Sequence, residues 1–269
     1  MEDLNLYLSG KKLYGDDFTS KQIEDWYNDE KEGYADLGAK NKHVYKYQYH
    51  SLNKLHGFKY FGNRSFAKVL GLGSTWGDEF LPIASQIQKL TILEPSSVFQ
   101  KQMIHGIAAE YIKPAPDGKI PFDDCSFDLI TCLDVLHHIP NVTALVNEIF
   151  RCLSIVGYAL IREPVVSMGD WSKPRAGVTK HERGIPIELF RNIISASGFS
   201  IVNETLFGFR PVPLFWGYFG RSAYNSDLAT RLDAKLSGLF KWNLRYHAYN
   251  FLDKIRPTSV YFVLTKIEK

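Results

Sequence analysis

The chain has 269 residues, 45% hydrophobic and 23% charged, which excludes the disordered and collagen-like classes and allows one large or two modest domains. Lys and Arg number 32 against 29 Asp and Glu, and the resulting +3 is too slight to argue for nucleic acid on charge alone. Cys125, Cys132 and Cys152 are odd in number and form no CxxC pair, so they read as reduced thiols rather than a disulfide frame or zinc site. No apolar run reaches the ~18–20 residues of a membrane span. The start, MEDLNLYLSGKK, carries no signal-peptide pattern. A soluble, cytoplasmic protein is expected.

Residues 1–65 read as a polar, helical cap. SKQIEDWYNDEKEG starts at a candidate cap on Ser20, with Ile23, Trp26 and Tyr27 at helical spacing. NKHVYKYQYHSLNKLH is the next expected helix. From Phe66 the texture changes to short β-branched runs: FAKVLGLG, KLTILEP, SFDLITCL and GYALIRE. Between them lie the helical stretches DEFLPIASQIQ, NVTALVNEIFRCL and PIELFRNIISASG. This alternation predicts a parallel α/β sheet with right-handed crossovers and helices on both faces. FSIVNETLF and SVYFVLTKI are the last expected strands, and an insertion at 208–257 separates them. It holds 11 aromatics in 50 residues and eight Lys/Arg against three Asp, so its net charge is +5.

The strongest chemical signal is VLGLGSTWGDEF at 69–80, a strand that runs into a glycine-rich turn. Glycine permits positive φ and close backbone approach, and a following helix start offers free amides to a ligand. Glu94 ends the next strand about 20 residues on, where a carboxylate can hold ribose hydroxyls.

LGSTWGDEF, ILEPS, IPFDDCSFDLITCLDVLHHIPN and RCLSIVGYALIREP together resemble successive motifs of the class I S-adenosylmethionine-dependent methyltransferases. The resemblance spans about 66–207. It implies a Rossmann-like seven-stranded sheet, with S-adenosylmethionine across the carboxyl ends of the first strands and S-adenosylhomocysteine as product. Gly73 and Gly77 match the outer glycines of the family loop, with Ser74 between them. Thr75 replaces the middle glycine, and Gly71 stands where the family usually has an acid. Glu94 matches the ribose-binding acid. Asp117 is the candidate for the adenine amino group, beside its alternative as a PDG turn residue, and Leu133 at a strand tip borders the cofactor.

His137 and His138 follow the fourth strand of this pattern, and Glu163 ends the fifth. Methyl transfer needs an aligned acceptor, and an alcohol acceptor must lose a proton, work suited to histidine. Sugar O-methyltransferases that resemble this family can use a histidine and an acid at these places, so His137, His138 and Glu163 are the catalytic candidates. A histidine that only hydrogen-bonds backbone is the alternative. His181 and Arg183, on the loop KHERGIP, and Arg210 and Trp216, in the insertion, are candidate substrate contacts. No HxH or HExxH spacing occurs, so no metal is expected.

The insertion reads as a substrate lid with stacking rings and anion-clamping arginines. Its alternatives are an interfacial element on an anionic membrane or a helical subdomain with an aromatic core. No nucleic-acid motif occurs. The expected whole is a methyltransferase domain over 66–269, capped by 1–65, with 208–257 as lid. It would methylate an oxygen of a small-molecule or glycan-linked acceptor. N- or C-methylation of a small metabolite and a non-catalytic cofactor-binding relative are the alternatives.

Overall fold

The computed structural model describes residues 2–171, 173 and 175–267. Eight strands form one sheet: β1 (Phe66–Leu72), β2 (Ile87–Leu93), β3 (Met103–Ile104), β4 (Ile107–Ile112), β5 (Phe127–Leu133), β6 (Leu153–Pro164), β7 (Ser200–Phe207) and β8 (Ser259–Thr265). Their order is β3-β4-β2-β1-β5-β6-β8-β7. β4, β2, β1, β5 and β6 run parallel, and β8 is antiparallel to both β6 and β7. The fold is the expected Rossmann-like one with eight strands in place of seven. The extra strand is the two-residue β3, which turns back antiparallel on β4.

Successive residues of a strand face opposite sides of the sheet, and the core divides accordingly. On one face Leu70, Ile130 and Ile161 meet Val146 and Ile149 of helix α4 (Val142–Cys152), and Phe190 and Ile194 of helix α5 (Ile187–Ala196). On the other, Val69, Leu90, Leu129 and Leu160 meet Phe80 and Ile83, together with Leu52, Phe58 and Phe61 from the N-terminal segment. Residues 50–61 are therefore a layer of the sheet's own core, not a detachable cap. Phe80 and Ile83 sit on a 3-10 segment, Asp78–Gln86, where an α-helix was expected. Pro82 lies inside it, and a proline there removes a donor and crowds the preceding turn.

The N-terminal segment departs from its expected form in two places. The helix Ser20–Glu30 is capped by Thr19 rather than Ser20, in a reciprocal box with Gln22. The second expected helix is limited to His50–His56, while 46–49 run without regular structure. The insertion folds into two helices, Pro211–Tyr218 and Asp227–Leu239, around a small core of Phe209, Val212, Ala223 and Ala229. No helix among the described residues is long and apolar enough to cross a membrane.

Candidate active site

The carboxyl ends of β1, β2, β5 and β6 and the N-terminal segment enclose a cavity of about 670 Å³. This is the crevice where parallel α/β sheets take their ligands. The chain leaves β1 through Gly73, whose φ is +59° and where a Cβ would stand 2.7 Å from Val135. Only glycine fits there. A Cβ at Gly71 would collide with the Ser74 hydroxyl, so the missing side chain at 71 is what makes room for Ser74. Gly73, Ser74 and Thr75 line the cavity, as do Glu94 and Leu133. Glu94 accepts from the Thr75 amide (3.2 Å) and the Ser96 amide (3.1 Å), tying the loop after β1 to the end of β2. Burial pushes its acid up to about 7.

The opposite wall carries the histidines. Glu163 is fully buried, and its Oε1 accepts from the amides of Val135 (2.8 Å) and Leu136 (2.6 Å). Its Oε2 lies 2.7 Å from His137 Nδ1. Burial lowers the His137 pKa, but the Glu163 carboxylate outweighs it and holds the ring above its ordinary value. His138 places Nδ1 3.0 Å from Glu30 and 3.2 Å from Thr179, contacts that hold it toward the N-terminal helix. Both histidines line the cavity. One ring nitrogen of each lies within 4.8 Å of the other and of a Glu182 carboxylate oxygen, a grouping the motif spacing did not announce.

Residues 70–161 match the family described as a methyltransferase domain. The chain carries the domain of a class I S-adenosylmethionine-dependent methyltransferase. Among solved structures it is similar to phosphoethanolamine N-methyltransferase 2 of Haemonchus contortus, crystallised with phosphomonomethylethanolamine and S-adenosylhomocysteine. That match has a TM-score of 0.58 at 15% identity, covering 93% of this chain and 61% of that one. The putative methyltransferase in complex with the Trm112 activator of Haloferax volcanii gives 0.55 at 13%, covering 92% and 98%. YcgJ of Bacillus subtilis gives 0.51 at 17%, covering 82% and 99%. At such identities the likeness is one of fold. No sequence match occurs among curated proteins.

Several expected contacts of this methyltransferase lie elsewhere. Gly71 sits inside β1 and Gly77 beside Ile104, and neither lines the cavity. Asp117 also lies off the wall, where its carboxylate accepts from the Lys119 amide (3.0 Å), the turn role left open for it. His181 stacks on Trp26 at 4.4 Å and pairs with Asp29 at 2.8 Å, outside the cavity. Arg183 is wholly buried and donates to the carbonyls of Tyr14, Leu136, His137, Ile139 and Pro140, so no donor reaches an acceptor. Arg210 is exposed on the insertion, and Trp216 packs on the insertion's own core. No residue of 208–257 lines the cavity. The roof comes instead from Trp26, Tyr27, Tyr34, Tyr45, Tyr47 and Tyr49.

Three lining residues lie inside the family motifs but have no role assigned to them there. Glu79 is 5% exposed, pushed up to about 7 by burial, and among the described residues pairs with no cation. Arg162 is buried, donates to Asp134 (2.6 Å) and Asn53 (2.9 Å), and lies 3.9 Å from the centre of the Tyr49 ring. Asp134, its partner, has a φ of +60°. A signal for the tyrosines was present: in YKYQY, the rings at 45, 47 and 49 alternate with Lys46 and Gln48. Period two marks extended chain, and exposure alternates along it.

Proposed function

We propose that the chain methylates an oxygen of a small-molecule or glycan-linked acceptor held beneath the tyrosine roof, with His137 as general base. The observation that carries this reading is the His137 Nδ1 contact with buried Glu163 at the cavity wall. A carboxylate on Nδ1 fixes the ring and leaves Nε2 to take a proton.

The residues present fit the cofactor. Glu94 is a buried carboxyl that faces the cavity, suited to two ribose hydroxyls, and the buried Ser74 hydroxyl stands in the same wall against the Glu79 carboxyl. Glu79, unpaired by any cation among the described residues, suits the ammonium group of an amino-acid end and takes over from the acid missing at Gly71. S-adenosylmethionine, when bound, supplies an electrophilic methyl on a sulfonium. Glu94, Ser74 and Glu79 bind and orient. Val135 and Leu136, held by Glu163, fix the loop on which His137 rides, and the tyrosine roof excludes water. His137 accepts the acceptor's proton.

A second reading has its own observation. The tyrosine rings of the roof offer their faces to a cationic or amine acceptor, which favours N-methylation. The three cysteines are free, in keeping with a reducing, cytoplasmic setting.

Calorimetry with S-adenosylhomocysteine, followed by transfer of a labelled methyl to hydroxyl and amine acceptors, tests the scheme. Glu94→Ala should lose about 2–4 kcal/mol of binding. His137→Gln should retain that binding and lose about 10²–10⁴ in turnover on a hydroxyl acceptor. Turnover that survives in His137→Gln would overturn the base assignment.

A further inference from the structure

We propose that the insertion, through the helix Pro211–Tyr218 and the end of the helix Asp227–Leu239, is a docking surface for an anionic phospholipid bilayer. None of its residues lines the cavity, so the proposal does not rest on the transfer reaction.

Three observations carry it. First, the helix PVPLFWGY has no charged residue, yet only Val212 is buried. Phe215 and Phe219 lie 5.3 Å apart and Tyr218 is 87% exposed, so large rings stand in solvent. Second, the patch continues across the subdomain. Phe209, just before this helix, stacks on Phe240 at the end of the next, beside exposed Leu239 and Trp242. A monomer that leaves such rings in water marks an interaction site.

Third, the charge is one-sided. The insertion's three acids are all engaged, two with its own amides and one with a lysine of the N-terminal segment. Asp233 accepts from the amides of Gly208 (2.8 Å) and Phe209 (2.9 Å). Asp253 accepts from that of Tyr249 (3.0 Å), and Asp227 pairs with Lys54 (3.3 Å). Arg210, Arg221, Arg231, Lys235, Lys241 and Lys254 are exposed and, among the described residues, form no ion pair. Aromatic rings set among unpaired cations match the acyl–headgroup boundary of an anionic leaflet. A second copy of the same +5 face would meet like charge, and nucleic acid offers no apolar layer for an uncharged helix.

Flotation of the 269-residue chain with phosphatidylcholine vesicles, with and without phosphatidylglycerol, tests the proposal. The chain should float with the anionic vesicles and remain behind with the neutral ones. Phe215→Ser/Tyr218→Ser/Phe219→Ser should reduce partition by about ten-fold or more, and Lys235→Glu/Lys241→Glu by a similar factor. Both variants should keep the wild-type melting temperature, since these side chains are exposed. If the wild-type chain floats with no vesicle, or the variants with unchanged melting float as well as wild type, the proposal fails. It fails equally if sedimentation shows a stable dimer that the ring variant dissolves, or if heparin binding is lost with the lysines but not with the rings.

Discussion

Glu79 and Glu94 stand in the wall of one cavity, and loss of water raises both acids from 4.5 to about 7. Near neutral pH each is close to half protonated in the free protein. A ligand that brings an ammonium to Glu79 favours the carboxylate and so expels a proton. S-adenosylhomocysteine affinity should therefore rise between about pH 6 and 8, with proton release visible as calorimetric heats that vary with buffer ionisation enthalpy. Glu79→Gln should remove part of that release and weaken S-adenosylhomocysteine by about ten-fold or more. It should leave 5′-methylthioadenosine, which lacks the amino-acid end, unchanged. Equal weakening of both ligands would make Glu79 a structural residue, and binding of neither by the wild type would remove the cofactor reading itself.

The loop after β5 and the N-terminal segment are held together by buried donors. Trp26 Nε1 donates to the His138 carbonyl (2.7 Å), and Arg183 reaches Tyr14 on one side and residues 136–140 on the other. Arg183→Met keeps the volume but strips a donor from five buried carbonyls, and those of Tyr14 and Ile139 are left with no other partner among the described residues. It should cost about 3 kcal/mol or more in thermal unfolding, and lower turnover more than S-adenosylhomocysteine affinity, because the displaced loop carries His137. These elements differ in how well the sequence announces them. β1, β2, β5 and β6 are short apolar runs ended by turns, a pattern that local chemistry alone fixes, and Gly73 and Glu94 follow from it. IAAEYI is too weakly patterned to reveal β4, because only the two-residue β3 flanks it on its outer side and it stays half exposed. The tyrosine roof was harder to place for another reason: its rings alternate, but 45–49 form neither strand nor helix, and packing over the cavity decides their path. Arg183 illustrates the harder limit. An arginine in a charged loop looks like a ligand contact until the fold surrounds it with carbonyls.

Across the whole molecule, buried carboxyls set how stability varies with pH. Glu79, Glu94 and Asp233, the last raised to about 6, all hold protons in the folded state that the unfolded chain releases. Between about pH 4.5 and 7 the native state binds more protons than the unfolded one, so these groups make stability fall as pH rises. His137, held above its ordinary value, acts in the same direction: its contribution is present below pH 6.5 and fades as pH passes the raised value. His56 opposes them, because burial lowers it to about 4 and the unfolded chain gains a proton first as pH falls below 6.5. His50 and His247, which burial also lowers, act with His56, and Glu79, Glu94, Asp233 and His137 together outweigh these three histidines. The shifts of Glu79 and Glu94 correspond to roughly 3 kcal/mol apiece at most. The ligand-free protein should therefore melt at a lower temperature at pH 7.5 than at pH 5, with Glu79→Gln and Glu94→Gln each flattening the slope. Saturating S-adenosylhomocysteine should raise the melting temperature more at pH 7.5 than at pH 5, since the cations and hydroxyls it brings favour the ionised carboxyls. A ligand-free melting temperature that climbs from pH 5 to 7.5 in the wild type, or a slope indifferent to both substitutions, would show that these carboxyls are solvated and that the cavity wall is not what holds them protonated.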